Sequence, residues 1–144
     1  MEPFLILSST DRINRNIHIT DHQFIILPNS CNTITYLDLS QFVNIEQIEI
    51  RDSSFANVQT LILYGMKNLK SVVIGRGVWN KVTNDFILED LSLLESIMIE
   101  KNSLQNVNSF IIRNNTKLKT IAFKNGDKTN GALLNVKTVE ISSM

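Results

Sequence analysis

The stretch Leu94-Glu95-Ser96-Ile97-Met98-Ile99-Glu100-Lys101-Asn102-Ser103-Leu104 carries the pattern from which the fold can be read. Ile97 and Ile99 alternate with Ser96, Met98 and Glu100. In an extended chain successive side chains point to opposite faces, so this is a short strand with one apolar side. The same spelling returns at Ile45/Ile48/Ile50, Leu69/Val72/Ile74 and Leu118/Ile121/Phe123. The starts at 45, 69, 94 and 118 lie 24, 25 and 24 residues apart, which marks a structural repeat.

A second strand pattern, B, alternates with this first one, A. Its copies are Ile34/Leu37/Leu39, Val58/Leu61/Leu63, Val82/Phe86/Leu88 (one residue longer), Val107/Phe110/Ile112 and Val136/Val139/Ile141. At the start of the chain, Leu5 and Leu7 read as a B strand and Ile13, Ile17 and Ile19 as a stretched A strand. Phe24 then takes the place that Phe55, Trp79 and Leu104 hold five residues after their A strands. Helical spacing is sustained nowhere.

A unit of two dozen residues cannot bury its apolar face alone, so stacked units must share one core, each strand pairing with its copies above and below. The expected fold is mainly β, a single solenoid domain over residues 1–144. It has about five to six coils, each of about 24 residues with two short parallel strands. Corner residues fall where the coil must turn: Asp52-Ser53-Ser54, Gly75 with Gly77, Asn102-Ser103 and Asn125-Gly126. Two turns are longer, at Pro28 to Thr33 and at Asn125 to Leu134.

The copy at 94–104 matches the leucine-rich-repeat consensus LxxLxLxxNxL through Leu94, Ile97, Ile99, Asn102 and Leu104. The other A units carry Ser53, Gly77 or Gly126 in the asparagine place. The chain therefore resembles the leucine-rich-repeat family, and within it the BspA-like surface repeats of bacteria and protists, which also carry a second short strand and an aromatic after the first. It departs from that branch in lacking the proline and cysteine that commonly follow. The resemblance implies a curved solenoid used for protein recognition, with adhesion or scaffolding roles in that branch. It transfers no functional residue, because the shared motif positions are structural.

Composition narrows the function classes. Fourteen basic and fourteen acidic side chains cancel, so no global field draws in nucleic acid or an anionic membrane. Cys31 is the only cysteine, which excludes an intramolecular disulfide and a multi-cysteine zinc site. The early apolar run Phe4 to Leu7 is too short for a signal peptide, and no run reaches transmembrane length. The compartment stays open.

Candidate chemistry is sparse. His18 and His22 have metal-ligand spacing only on a helix, and here one is an outward strand residue and the other lies in a turn. Cys31 lacks a base and an orienting group. Glu89 with Asp90 reads as a solvated turn, and Trp79 as core, since it shares a repeat position with Phe55 and Leu104. Asn114-Asn115-Thr116 is a glycosylation sequon that matters only in a secreted protein. No cofactor, metal or catalytic residue is expected.

Function is then expected on the outward positions. On the A strands these are Glu49, Val73, Met98 and Ala122, flanked by Gln47, Ser71, Ser96 and Thr120 and by Arg51, Gly75, Glu100 and Lys124. They form a small, partly apolar floor with a charged rim, suited to binding a protein. On the B strands the outward residues are Ile6, Ile62, Ile87 and Ile111, interrupted by Asp38 and ending at Glu140; Ile62, Ile87 and Ile111 are a candidate second contact. The expected role is a non-catalytic protein-interaction or scaffold module working through the A face. The alternatives are a carbohydrate-binding or polysaccharide-active β-solenoid using Glu49 and Glu100, and a purely structural spacer. No polar cap is evident at either end, so the chain is expected to be a piece of a longer array or to meet neighbours end to end.

Overall fold

The computed structural model describes residues 22–40, 42–124, 131–133 and 135–142, together with the backbone of 4–7. All regular structure in it is strand. The elements are β1 (Phe4–Leu7), β2 (Gln23–Ile26), β3 (Tyr36–Asp38), β4 (Gln47–Ile50), β5 (Thr60–Ile62) and β6 (Ser71–Ile74), followed by β7 (Phe86–Glu89), β8 (Ser96–Glu100), β9 (Ser109–Arg113), β10 (Thr120–Lys124) and β11 (Thr138–Ser142). They stack as a β-solenoid of about four turns.

The A sheet runs β1-β2-β4-β6-β8-β10, and every pairing in it is parallel. Its register follows the repeat: Ile48 lies beside Val72, Val72 beside Ile97 and Ile97 beside Ile121. Because the side-chain period is two, this register sends Ile48, Ile50, Val72, Ile74, Ile97 and Ile99 inward together, and all six are buried.

The first coil is phased differently from the sequence expectation. Phe24 and Ile26 are inward residues of an A strand, level with Ile48 and Ile50, and both are buried. β1 belongs to the same sheet, with Leu5 level with Phe24 and Leu7 with Ile26, so Leu5 and Leu7 are not a B strand and Ile6 is not on the B face. Cys31, not Phe24, shares the position of Phe55, Trp79 and Leu104. The assigned A strand at Ile13, Ile17 and Ile19 lies outside the described residues.

Left-handed residues at the turns line up from coil to coil in three columns among the described residues. Asn29, Ser53, Gly77 and Asn102 form one such column; Cys31, Phe55, Trp79, Leu104 and Leu133 form the second; Gly65, Asp90 and Asn114 form the third. Phe55, Trp79 and Leu104 adopt φ of 56°, 59° and 53°. A side chain in that region costs about 1–2 kcal/mol. Fully burying a large apolar side chain returns about 1.5–3 kcal/mol, so packing carries the strain. Phe55 and Trp79 stack with ring centroids 5.9 Å apart, one coil above the other.

Buried hydroxyls tie successive coils at the corner after the A strand. Ser54 Oγ accepts the Ser30 N–H at 3.0 Å and donates to the Leu27 carbonyl at 2.6 Å. Two coils on, Ser103 Oγ accepts the Val78 N–H at 3.2 Å and donates to the Gly75 carbonyl at 2.5 Å. Asn115 does the same on the B side, accepting from Leu91 N–H and donating to the Leu88 carbonyl, each at 2.9 Å. Removing such a group leaves buried backbone unpaired, at about 1–3 kcal/mol.

The B strands divide into a pair, β3-β5, and a triplet, β11-β9-β7. The break falls at the extra residue of the third B copy. There Asn84 inserts its carboxamide, whose Oδ1 accepts the Leu61 N–H at 3.1 Å while Nδ2 donates to the Leu61 carbonyl at 2.8 Å. One side chain thus substitutes for the missing strand neighbour.

Candidate binding faces

The outward A-sheet column consists of Ile25, Glu49, Val73, Met98 and Ala122, all half-buried between their neighbours. Ile25 is an addition that the correct phase of β2 supplies. Beside this column run Gln23, Gln47, Ser71, Ser96 and Thr120, with Gln23 Nε2 donating to Gln47 Oε1 at 2.8 Å. The rim before the strands is charged: Glu46 is 3.2 Å from His22 Nδ1 and 3.0 Å from Lys70 Nζ. On the other rim Arg51 Nε donates to Glu49 at 2.8 Å, and Lys124 is level with Glu100. Eleven of the twelve residues expected on this face are therefore brought together on one surface; the twelfth, Gly75, is buried rather than outward.

Gly75 is buried because Asp52 closes over it. Asp52 Oδ1 accepts the Arg76 N–H at 2.9 Å, and Oδ2 accepts from Arg76 Nε and Nη2 at 3.0 and 2.8 Å. These contacts hold the Asp52 carboxyl below its ordinary value of 3.8, chiefly through the Arg76 backbone N–H, with desolvation opposing and the guanidinium assisting. A depressed carboxyl contributes stability above its unfolded value that is lost as pH falls through the folded value. Wild type should therefore lose an advantage over Asp52→Asn as pH drops below 3.8, read as a shrinking gap between their urea midpoints. A gap independent of pH would mean that the carboxylate is not held there.

The B side places Ile62, Ile87 and Ile111 outward and half-buried, with Asp38 and Glu140 at the ends of the column. The break at Asn84 separates Ile62 from the other two. Arg113 bridges Glu89 and Glu140 beside them. Two exposed tyrosines flank this side, Tyr36 at 58% and Tyr64 at 69%, and sequence reading overlooked both. The available signal was an aromatic at a position that the repeat assigns outward.

The remaining candidates are dispersed. His22 Nδ1 lies 3.3 Å from the Asn44 carbonyl and beside Glu46, while His18 is outside the described residues. Cys31 is buried in the core. Trp79 is fully buried, stacked on Phe55. Asn114 of the sequon donates to Asp90. Among the described residues no group of three or more His, Cys, Asp or Glu side chains is placed to hold a metal ion. Asparagines instead stack along the corners: Asn57 donates to the Asn32 carbonyl at 2.6 Å, Asn106 to the Asn80 carbonyl at 2.8 Å and Asn135 to Asn106 Oδ1 at 3.0 Å.

The fold and its faces define a parallel β-solenoid repeat protein. No family model, no curated protein and no solved structure matches the chain.

Proposed function

We propose that this is a non-catalytic protein-interaction module, a solenoid of the leucine-rich-repeat type with five to six coils, whose A sheet is the docking floor. The observation that carries the reading is the in-register column Ile25, Glu49, Val73, Met98 and Ala122, apolar at four of its five positions, on a continuous sheet with polar columns and paired charges around it. Such a surface is rigid before binding, so little ordering opposes association, and its apolar centre with a polar rim suits a protein partner. A polysaccharide reading needs acidic groups beside aromatic platforms. Here Glu49 and Glu100 lie on the A sheet, while the exposed Tyr36 and Tyr64 flank the B strands.

The test is capture by immobilised protein, followed by binding of the purified partner to face variants. A variant with Glu49→Lys, Met98→Lys and Lys124→Glu is expected to lose the partner at least tenfold, roughly 1.4 kcal/mol, while Ile87→Lys keeps it. Undiminished binding by the folded triple variant would refute the A face. The exposed tyrosines favour the B side as the second surface, because Tyr is enriched at binding centres, and loss on Ile87→Lys alone would select it.

A further inference from the structure

The longer third B copy leaves a mark on the surface. Asn84 fills the break between β5 and β7 with its own carboxamide, and beside that break lies a hollow of about 430 Å³ lined by Gln59, Lys81, Thr83 and Asn106. Irregularities of this kind re-aim side chains and recur next to active sites. The volume falls within the range of small-ligand sites.

The lining consists of hydrogen-bonding groups, two of them held in place from behind. Lys81 Nζ donates to Asn57 Oδ1 at 2.8 Å, and Asn106 Nδ2 donates to the Asn80 carbonyl at 2.8 Å while its Oδ1 accepts from Asn135 at 3.0 Å. The Thr83 N–H donates to the Gln59 carbonyl at 3.2 Å, which fixes those two backbones side by side. Neither the Gln59 carboxamide nor the Thr83 hydroxyl makes a side-chain hydrogen bond with a described residue, so an amide and a hydroxyl, each both donor and acceptor, are open to a ligand.

An aromatic platform adjoins the hollow. Tyr36 is level with Thr60, the residue after Gln59, one strand spacing of about 4.8 Å away, and its ring is exposed. Tyr64 stands four residues beyond Thr60 on the same side, about 13 Å along the strand, and is exposed as well. A tyrosine ring left in water offers a flat apolar face with a hydroxyl at its edge. Amides, a hydroxyl and an ammonium suit rows of ligand hydroxyls, and flat rings suit the C–H face of a pyranose; together they fit a saccharide chain. A protein partner would call instead for an apolar centre, which four polar lining residues do not supply.

We propose that the B side binds an oligosaccharide, with one sugar in the hollow of Gln59, Lys81, Thr83 and Asn106 and the chain running along β3 and β5 past Tyr36 towards Tyr64. The site is separate from the A face and does not rest on its role. No cleavage is implied, since glycoside hydrolysis uses a pair of carboxylates flanking the bond and the hollow is lined by none.

The test is nuclear magnetic resonance of the isotope-labelled chain titrated with defined neutral, amino-sugar and uronate oligosaccharides. At least one is expected to bind and to shift the side-chain amide signals of Gln59 and Asn106, leaving those of Gln23 and Gln47 on the A sheet unmoved. Gln59→Ala with Thr83→Ala should weaken that saccharide about tenfold, as the loss of two ordinary hydrogen bonds predicts. Tyr36→Ala should weaken it several-fold. All three positions are exposed, so the fold survives these changes, as circular dichroism would verify. The variant with Glu49→Lys, Met98→Lys and Lys124→Glu should bind the saccharide as wild type does. No binding by any member of the panel, shifts confined to the A sheet, or undiminished affinity in the folded Gln59/Thr83 variant would each overturn the proposal. A captured protein lost on Tyr36→Ala, with no saccharide bound, would assign this strip to protein docking instead.

Discussion

Trp79→Ala is expected to lower the unfolding free energy by about 3–5 kcal/mol, the range for emptying a fully buried large aromatic site. Trp79 is 0% exposed and stacks on Phe55 at 5.9 Å, so its removal also strips one face of the ring in the coil before it. The backbone makes the loss worse. Residue 79 stays at a left-handed φ of 59°, and an alanine there keeps that strain without the burial that offsets it. Trp79→Phe separates packing from polarity. The indole Nε1 is buried with no hydrogen-bond partner among the described residues, so phenylalanine gives up some area but removes an unsatisfied donor. Its expected cost is below about 1.5 kcal/mol. Urea unfolding followed by circular dichroism measures both, since fluorescence from the single tryptophan is lost in the variants. A Trp79→Ala cost under about 1 kcal/mol would show that residue 79 is not in the core.

The second large effect is expected at Gly75. A Cβ there would come within 2.6 Å of Asp52 Oδ1, 2.9 Å of Asp52 N and 3.0 Å of the Ile50 carbonyl oxygen. The carboxylate can swing away, but the two backbone atoms belong to the neighbouring coil and are held by the sheet. Gly75→Ala should therefore cost about 1–3 kcal/mol by overpacking. It should also displace Asp52 from Arg76 and so remove the acid sensitivity that those contacts confer. Combined with Asp52→Asn, the two changes should be less than additive, because they break one clamp. Full additivity in a double-mutant cycle would mean that the glycine and the clamp are independent.

Much of the solenoid is legible in the residues because one physical demand repeats. Every rung must send two or three apolar side chains inward at fixed spacing, and Ile48/Ile50, Val72/Ile74 and Ile97/Ile99 meet that demand in register. The outward floor follows from the same alternation. The first coil is hard to phase from local spacing because Phe24 lies as far beyond Ile19 as Phe55 lies beyond Ile50, which mimics a turn aromatic. Stepping back 24 residues from Ile48 and from Phe55 lands on Phe24 and Cys31, so the period alone held the answer.

Other features leave weaker traces. The extra residue in the third B copy is visible in spacing, but only geometry shows Asn84 filling the gap with its own amide. Ser54 and Ser103 look like ordinary corner residues, yet both are buried and bridge coils through the hydroxyl. The exposure of Phe123, Val139 and Ile141 is visible only in the fold.

The stacked parallel register, with its strict alternation of core and floor, is tested most directly by the labelling rates of single cysteines placed in turn at 48, 49, 72, 73, 97 and 98. A thiol reagent reads exposure in the native protein, and the buried natural Cys31 serves as the slow internal reference. Cysteines at Glu49, Val73 and Met98 are expected to react quickly, and those at Ile48, Val72 and Ile97 only as slowly as Cys31. Equal rates at neighbouring positions, or fast labelling at 48, 72 and 97, would contradict the register and with it the A-sheet floor.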